Sequence, residues 1–261
     1  MANQKHYILL TIVITLCLQV ACSRSISEES VTVKTDPAEF STAVAKADAL
    51  FRQRADTAKL SEAVDLLATF RKPDDRNFEI EWKFAKYSYF LGLATKDEKE
   101  SEKVFEKGRD AGKIASSMEP SKPDGYFWYA ANLGEISRIS PITVGLKSVD
   151  DIKSAMNKVI EIQPGYQSSN AYDALAQVEM ETRLYGGSAD KAIELLEKAL
   201  QTEKNNADLR LHLAEAYLAV KKPVEARHQL DLLLQIKPDP EYVPEHDEAV
   251  EEAKKMIKNK F

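Results

Sequence analysis

Few side chains in this chain have chemistry to offer: two cysteines, four histidines and one Gly-Gly-Ser turn. Cys22 is the thiol whose setting suggests a reaction. It follows an apolar run from Tyr7 to Ala21, so in an exported chain cut before it the thiol stands at the new N-terminus, open to attachment of a lipid. Cys17 lies inside the apolar run and leaves with it, so the cleaved chain has no internal thiol and no disulfide. His6 belongs to the same N-terminal stretch. His212 and His228 fall on two successive helical runs and could approach one another, but no third ligand joins them and His246 lies further on. No metal site is expected. Gly186-Gly187-Ser188 lacks the further glycine and the lysine of a phosphate loop and reads as a turn. Nucleophile elbows, paired cysteine ligands and HExxH spacings are absent. The sequence therefore predicts no catalytic residue and no cofactor.

Leu18-Gln19-Val20-Ala21-Cys22 resembles the bacterial lipobox, with Val20 and Ala21 in place and Gln19 where an aliphatic residue is usual. Residues 1–21 then read as a lipoprotein signal peptide with Lys5 as its positive region, too short for the ~20 residues of a comfortable membrane span. Ordinary secretion and an uncleaved anchor are the alternatives. Residues 22–37, rich in Ser, Thr and Glu, read as a flexible tether. The implied location is periplasmic, held at the membrane by the N-terminal lipid.

The positioning elements are helices. With 44% hydrophobic and 30% charged residues and only nine glycines in 261 residues, the chain can bury a sizeable core and suits helices better than sheets. Its net charge of −6 disfavours a nucleic-acid partner, which needs a basic patch. Acidic runs such as Asp97–Glu102 and Glu245–Glu252 are interleaved with lysines and read as solvated helix faces. Ala207–Pro238 holds two amphipathic runs joined at Lys221-Lys222-Pro223. Leu213, Ala214 and Tyr217, then Ala226, Leu230 and Pro238, keep the spacing of the 34-residue tetratricopeptide repeat. The same pattern recurs with less regular lengths upstream. The sequence predicts an all-α domain over 38–261, with about five TPR-like helix-turn-helix repeats stacked in a right-handed superhelix. A polar C-terminal helix from Tyr242 would cap the array. Ser137–Ser148 is an insertion that a minimal repeat does not contain.

Such a repeat binds partners on the face lined by its first helices. Carrying the concave positions of the TPR family from Trp82 and Trp128 places Tyr87, Phe90, Tyr126, Tyr129, Leu133 and Ile136 on that face. The fourth unit contributes Asn170, Asp173 and Gln177. An aromatic half and an acidic half would suit an apolar ligand or a partner helix. The alternative is that long second helices or the 137–148 insertion fold over these rings and make them core.

The long second helix ending at Pro120 and the stretch Tyr126-Phe-Trp-Tyr-Ala-Ala-Asn-Leu-Gly134 go further. Together with Val159-Ile-Glu-Ile-Gln-Pro-Gly-Tyr166, Tyr185-Gly-Gly-Ser188 and Leu213-Ala-Glu-Ala-Tyr217, they resemble the T-component lipoproteins of TRAP (tripartite ATP-independent periplasmic) transporters. The resemblance covers about residues 75–258. It implies a non-enzymatic, lipid-anchored protein that docks to a periplasmic substrate-binding protein. A small apolar ligand in a central channel, and association into a homo-oligomer, are implied as well. A general TPR adaptor lipoprotein scaffolding a cell-envelope complex is the alternative.

Overall fold

The computed structural model describes residues 34–238, 240 and 243–261. The expectations for 1–33, including the signal peptide, Cys22 and most of the tether, lie outside the described residues, as does Tyr242. Residues 35–261 form one compact unit.

Within it, the periodic runs become helices whose starts are set by side chains. Asp36 opens α1 (Pro37–Phe51) by accepting from the Ala38 amide, with Pro37 in the first turn, where its missing N–H costs nothing. Asp56 does the same for α2 (Thr57–Ala68). Asn77 caps α3 (Phe78–Ala94) and Asp97 caps α4 (Glu98–Met118), each through its side-chain oxygen. Helix α5 (Pro123–Ile139) and α6 (Leu146–Ile162) follow. Then come α7 (Asn170–Glu181), α8 (Ala189–Thr202) capped by Ser188, α9 (Ala207–Ala219) capped by Asn206, α10 (Pro223–Leu233) and α11 (Val243–Lys260). These make five consecutive helix pairs and a last helix whose Ala249 and Ala253 are buried against the fifth pair. The fold is the expected all-α stack of TPR-like units closed by a capping helix.

The 137–148 insertion is a correction in detail. It packs beside the aromatic residues, with Val144 against the core that contains Phe127 and Trp128. Helix α5 runs to Ile139, a single π-turn spans Pro141–Gly145, and α6 starts at Leu146, about three residues before the expected restart near Val149.

The middle helices approach one another closely because glycine occupies the contact points. A Cβ on Gly92 would stand 2.4 Å from the Phe105 ring, on Gly108 2.3 Å from the Asn132 amide, and on Gly112 2.5 Å from the Tyr129 backbone nitrogen. Asn132 is fully buried and donates to the carbonyls of Ala85 (3.0 Å) and Trp128 (2.7 Å), so it ties α5 to α3. Helix α1 is held to α3 by Asp48, which accepts from Lys83 at 2.8 Å and from the Tyr87 hydroxyl.

The array also meets itself. Arg54, just after α1, places its guanidinium 3.1 Å from Glu245 at the start of α11, across 191 residues. The same guanidinium lies over the rings of Phe51 and Phe90. The first pair and the last helix are thereby joined around the inner face.

Candidate functional site

The inner faces of α3, α5, α7 and α9, with α6 and the start of α11, line a half-open cavity of about 1390 Å³. Its two sides differ. Tyr89, Phe90, Leu93, Phe127 and Trp128 form an aromatic and aliphatic wall, continued by Leu146, Val149 and Ile152. Opposite them stand Asp173, Asp208, His212, Glu245 and His246. The π-turn forms part of the rim through Pro141 and Gly145.

Each side follows from helix geometry. On α7, Asn170, Asp173, Gln177 and Glu181 recur at the three- and four-residue spacing of one helical face and all line the cavity. On α9 the same face presents Asp208 and His212. On α5 the lining face includes Phe127, Ala130, Gly134 and Ser137, with Trp128, Ala131, Glu135 and Arg138 beside them. The residues expected there from the Trp128 frame are each one position off this face, which on a helix of 3.6 residues per turn is a rotation of about 100°.

The expected site residues therefore divide. Phe90, Asn170, Asp173 and Gln177 line the cavity. Tyr87, Leu133 and Ile136 are buried in the core, Tyr87 stacked on Phe51 at 4.3 Å. Tyr129 faces α6, its hydroxyl 3.5 Å from Asp151, and Tyr126 is half-buried against the core. The rotation has a cause: Gly108, Gly112 and Gly125 draw α4 onto the side of α5 that carries residues 125, 129 and 132. Tyr89, Trp128 and His212 line the cavity without being among the expected residues, and Asp208 lines it as well. The regular α9 frame was the signal for Asp208, since it sits on the concave face that the family positions select.

The polar side is electrostatically tense. His212 Nδ1 lies 2.7 Å from Asp173. Burial alone would push its pKa down, but the Asp173 carboxylate prevails and raises it to about 9. Asp208 is pushed up to about 6, by burial first and then by Asp173, with His212 pulling the other way. The Tyr89 hydroxyl is pushed up by burial and by Glu135. Asn206, the cap of α9, donates to Asn170 at 3.2 Å and to the Ser168 carbonyl at 3.3 Å, which fixes the α7 and α9 walls relative to each other. The Gln167-Ser168-Ser169 turn leading into α7 has positive φ at all three residues, each at a cost of order 1–3 kcal/mol that the surrounding contacts offset.

The His212 shift predicts a pH dependence. Because the folded pKa exceeds the unfolded one, its stabilisation is complete below about 6.5 and is lost as pH rises through about 9. The melting temperature should fall across that window, and His212→Gln should remove most of the slope. A slope unchanged by the substitution, in a series of thermal melts, would show that the pair does not couple to folding.

Among the described residues no group of three or more His, Cys, Asp or Glu is placed to hold a metal ion. His228 is exposed on α10, away from the His212–Asp173 pair. Among the same residues no helix is long and apolar enough to cross a membrane.

Comparison with known proteins adds the following. Residues 43–172 match the family described as Regulator of microtubule dynamics protein 1-3. Residues 184–243 match the tetratricopeptide repeat. No curated protein matches the chain by sequence. Among solved structures, a thermophilic TPR protein of Thermus thermophilus is similar with a TM-score of 0.58 at 20% identity, over 80% of this chain and 98% of that one. The Pseudomonas aeruginosa protein pilF is similar with a TM-score of 0.53 at 14% identity, over 84% and 90% of the two chains. At these identities the likeness is one of fold.

Proposed function

We propose, from the premise that this chain is a tetratricopeptide-type helical repeat protein, that it is a non-enzymatic accessory component of a TRAP-type solute uptake system. In this reading Cys22 carries the lipid that anchors it at the membrane on the periplasmic side. The array docks to a periplasmic substrate-binding protein and holds a small ligand in the inner cavity. The observation that supports it best is the cavity itself. It is lined by four repeat units, and the Arg54–Glu245 pair joins the two ends of the array beside it, which together offer a small ligand contacts on several sides. Self-association remains part of the proposal.

The second reading, an adaptor for another envelope complex, draws on the exposed Leu184 and Tyr185, 90% and 70% accessible, on the turn before α8. Two measurements separate the readings and test the anchor. Native mass spectrometry of the purified protein should find a co-purifying small molecule, and cross-linking should capture a solute-binding protein. An empty protein that captures only assembly factors favours the adaptor. Cys22→Ala should move the protein from the membrane pellet to the soluble fraction; unchanged pelleting would rule out a lipid anchor at this residue.

A further inference from the structure

The cations around the cavity are largely matched already. His212 pairs with Asp173 at 2.7 Å, Arg138 with Glu135 at 2.7 Å and Arg54 with Glu245 at 3.1 Å. Lys237 stands exposed at the rim. Asp208 is only partly accessible, and among the described residues its carboxylate forms no hydrogen bond or ion pair; the Tyr89 hydroxyl, also at the cavity, forms no hydrogen bond. The N-terminus of α9 and His212 one turn on offset only part of the cost of withdrawing this carboxylate from water, and a positive charge brought to it recovers more. The cavity also carries Tyr89, Phe90 and Trp128, rings that accommodate an apolar body; Arg54 already lies over Phe90 and Lys86 over Trp128, so the rings receive the body of a ligand and not its charge.

We propose that Asp208 receives the ammonium group of an amphipathic amine whose apolar body lies against Tyr89, Phe90 and Trp128. This rests on the reading of the cavity as a ligand site and names the class of ligand. The unmatched negative charge disfavours an organic anion in the same place. The cavity, at about 1390 Å³, has room for a body of several rings or a long chain.

The site should also respond to acid. Asp208 is faced by Asp173 from α7, His212 on its own helix, Glu245 and Glu248 from α11, and Tyr89 from α3. Its raised pKa of about 6 means that the carboxylate takes up a proton under mild acid, while an aliphatic amine stays charged. Amine binding should weaken accordingly.

The test uses the purified full chain and three matched probes: 4-phenylbutylamine, 4-phenylbutan-1-ol and 4-phenylbutanoate. Binding is followed by calorimetry and by the fluorescence of the chain's two tryptophans, of which Trp128 lines the cavity. At about pH 7.5 the amine should bind roughly tenfold or more tightly than the alcohol, and the acid more weakly than the alcohol. Asp208→Asn should reduce the amine to the affinity of the alcohol and leave the alcohol unchanged. Lowering the pH to about 5 should do the same in the wild type. Asp208→Asn should fold, because it removes a charge that burial and Asp173 both oppose; an undiminished melting temperature confirms this. Equal binding of all three probes, or an amine advantage that survives Asp208→Asn, overturns the amine site and leaves the cavity as a ligand site. Preference for the acid overturns the proposed charge selectivity. Binding of none at millimolar concentration removes the cavity reading as well.

Discussion

Glu81→Ala should lower the stability of the helical domain by about 3 kcal/mol, the lower end of the range for breaking a buried ion pair. Glu81 is fully buried, and its two oxygens accept from Arg71 at 2.8 Å and Arg76 at 2.5 Å. The two arginines lie on the connection between α2 and α3, so this carboxylate holds that connection against the first turn of α3. Removing it leaves two guanidiniums facing an emptied, water-poor space. Their side chains keep 16% and 25% exposure, so they regain part of their hydration, which is why the lower end applies. Arg71 also lies 4.2 Å over the Phe84 ring and keeps that contact. At roughly 2–4 °C per kcal/mol for a domain of this size, the melting temperature should drop by about 6–12 °C. Glu81→Gln, which retains shape and one acceptor, should cost less. Glu100→Ala on the exposed surface, where Lys103 is the partner, should change stability by less than about 0.5 kcal/mol. Urea titration of the three variants measures the order. A Glu81→Ala protein as stable as the wild type would mean that the triad contributes no net stability.

Alanine at Gly112 and alanine at Gly134 should have effects of opposite sign, although both glycines are helical. At position 112 the added methyl would stand 2.5 Å from the Tyr129 nitrogen and 2.7 Å from its Cα. Backbone cannot rotate away, so α4 and α5 must separate, at an expected cost of about 1–3 kcal/mol. The helix propensity gained, up to about 1 kcal/mol, offsets only part of it. At position 134 nothing lies within 4 Å of the added methyl, so Gly134→Ala should keep its propensity gain and stabilise by roughly 0.5–1 kcal/mol. Denaturant unfolding reads both. Separation of α4 from α5 would also turn the cavity wall, since Trp128 adjoins Tyr129, so Gly112→Ala should change tryptophan fluorescence in the folded state while Gly134→Ala should not. Stabilisation by Gly112→Ala would show that the close approach is not needed.

Asp208 and Gly134, both at the cavity, answer to different demands. Gly134 faces the cavity with no contact that requires its small size, so it can be changed for stability. Asp208 is retained against burial and against Asp173. Asp208 also stands in the first turn of α9, where the helix N-terminus favours a carboxylate and offsets part of that cost, so its position serves the helix as well as the cavity wall.

The helices themselves were legible from the amino-acid sequence. Asp36-Pro37, Asp97 and Ser188 start helices through local hydrogen bonds to the following amides, and the spacing of Leu213, Ala214, Tyr217, Ala226 and Leu230 defines a repeat whose five apolar residues are all buried. Both depend on contacts within a few residues. The concave face was legible where the units are regular, as with Asn170, Asp173 and Gln177. Three things required the tertiary structure. The rotation of α5 by one position depends on which neighbour α4 can approach through Gly108 and Gly112, and no spacing within α5 records that. The closure of the array through Arg54 and Glu245 joins residues 191 apart, so it depends on curvature accumulated over every pair between them. The isolation of Asp208 depends on how each nearby cation is already engaged, His212 by Asp173 and Arg54 by Glu245, and pairing of that kind exists only when separate helices converge. Local hydrogen bonding and periodicity determined the elements of this protein; the orientation of its helices, and with it the chemistry of its cavity, was decided by packing between them.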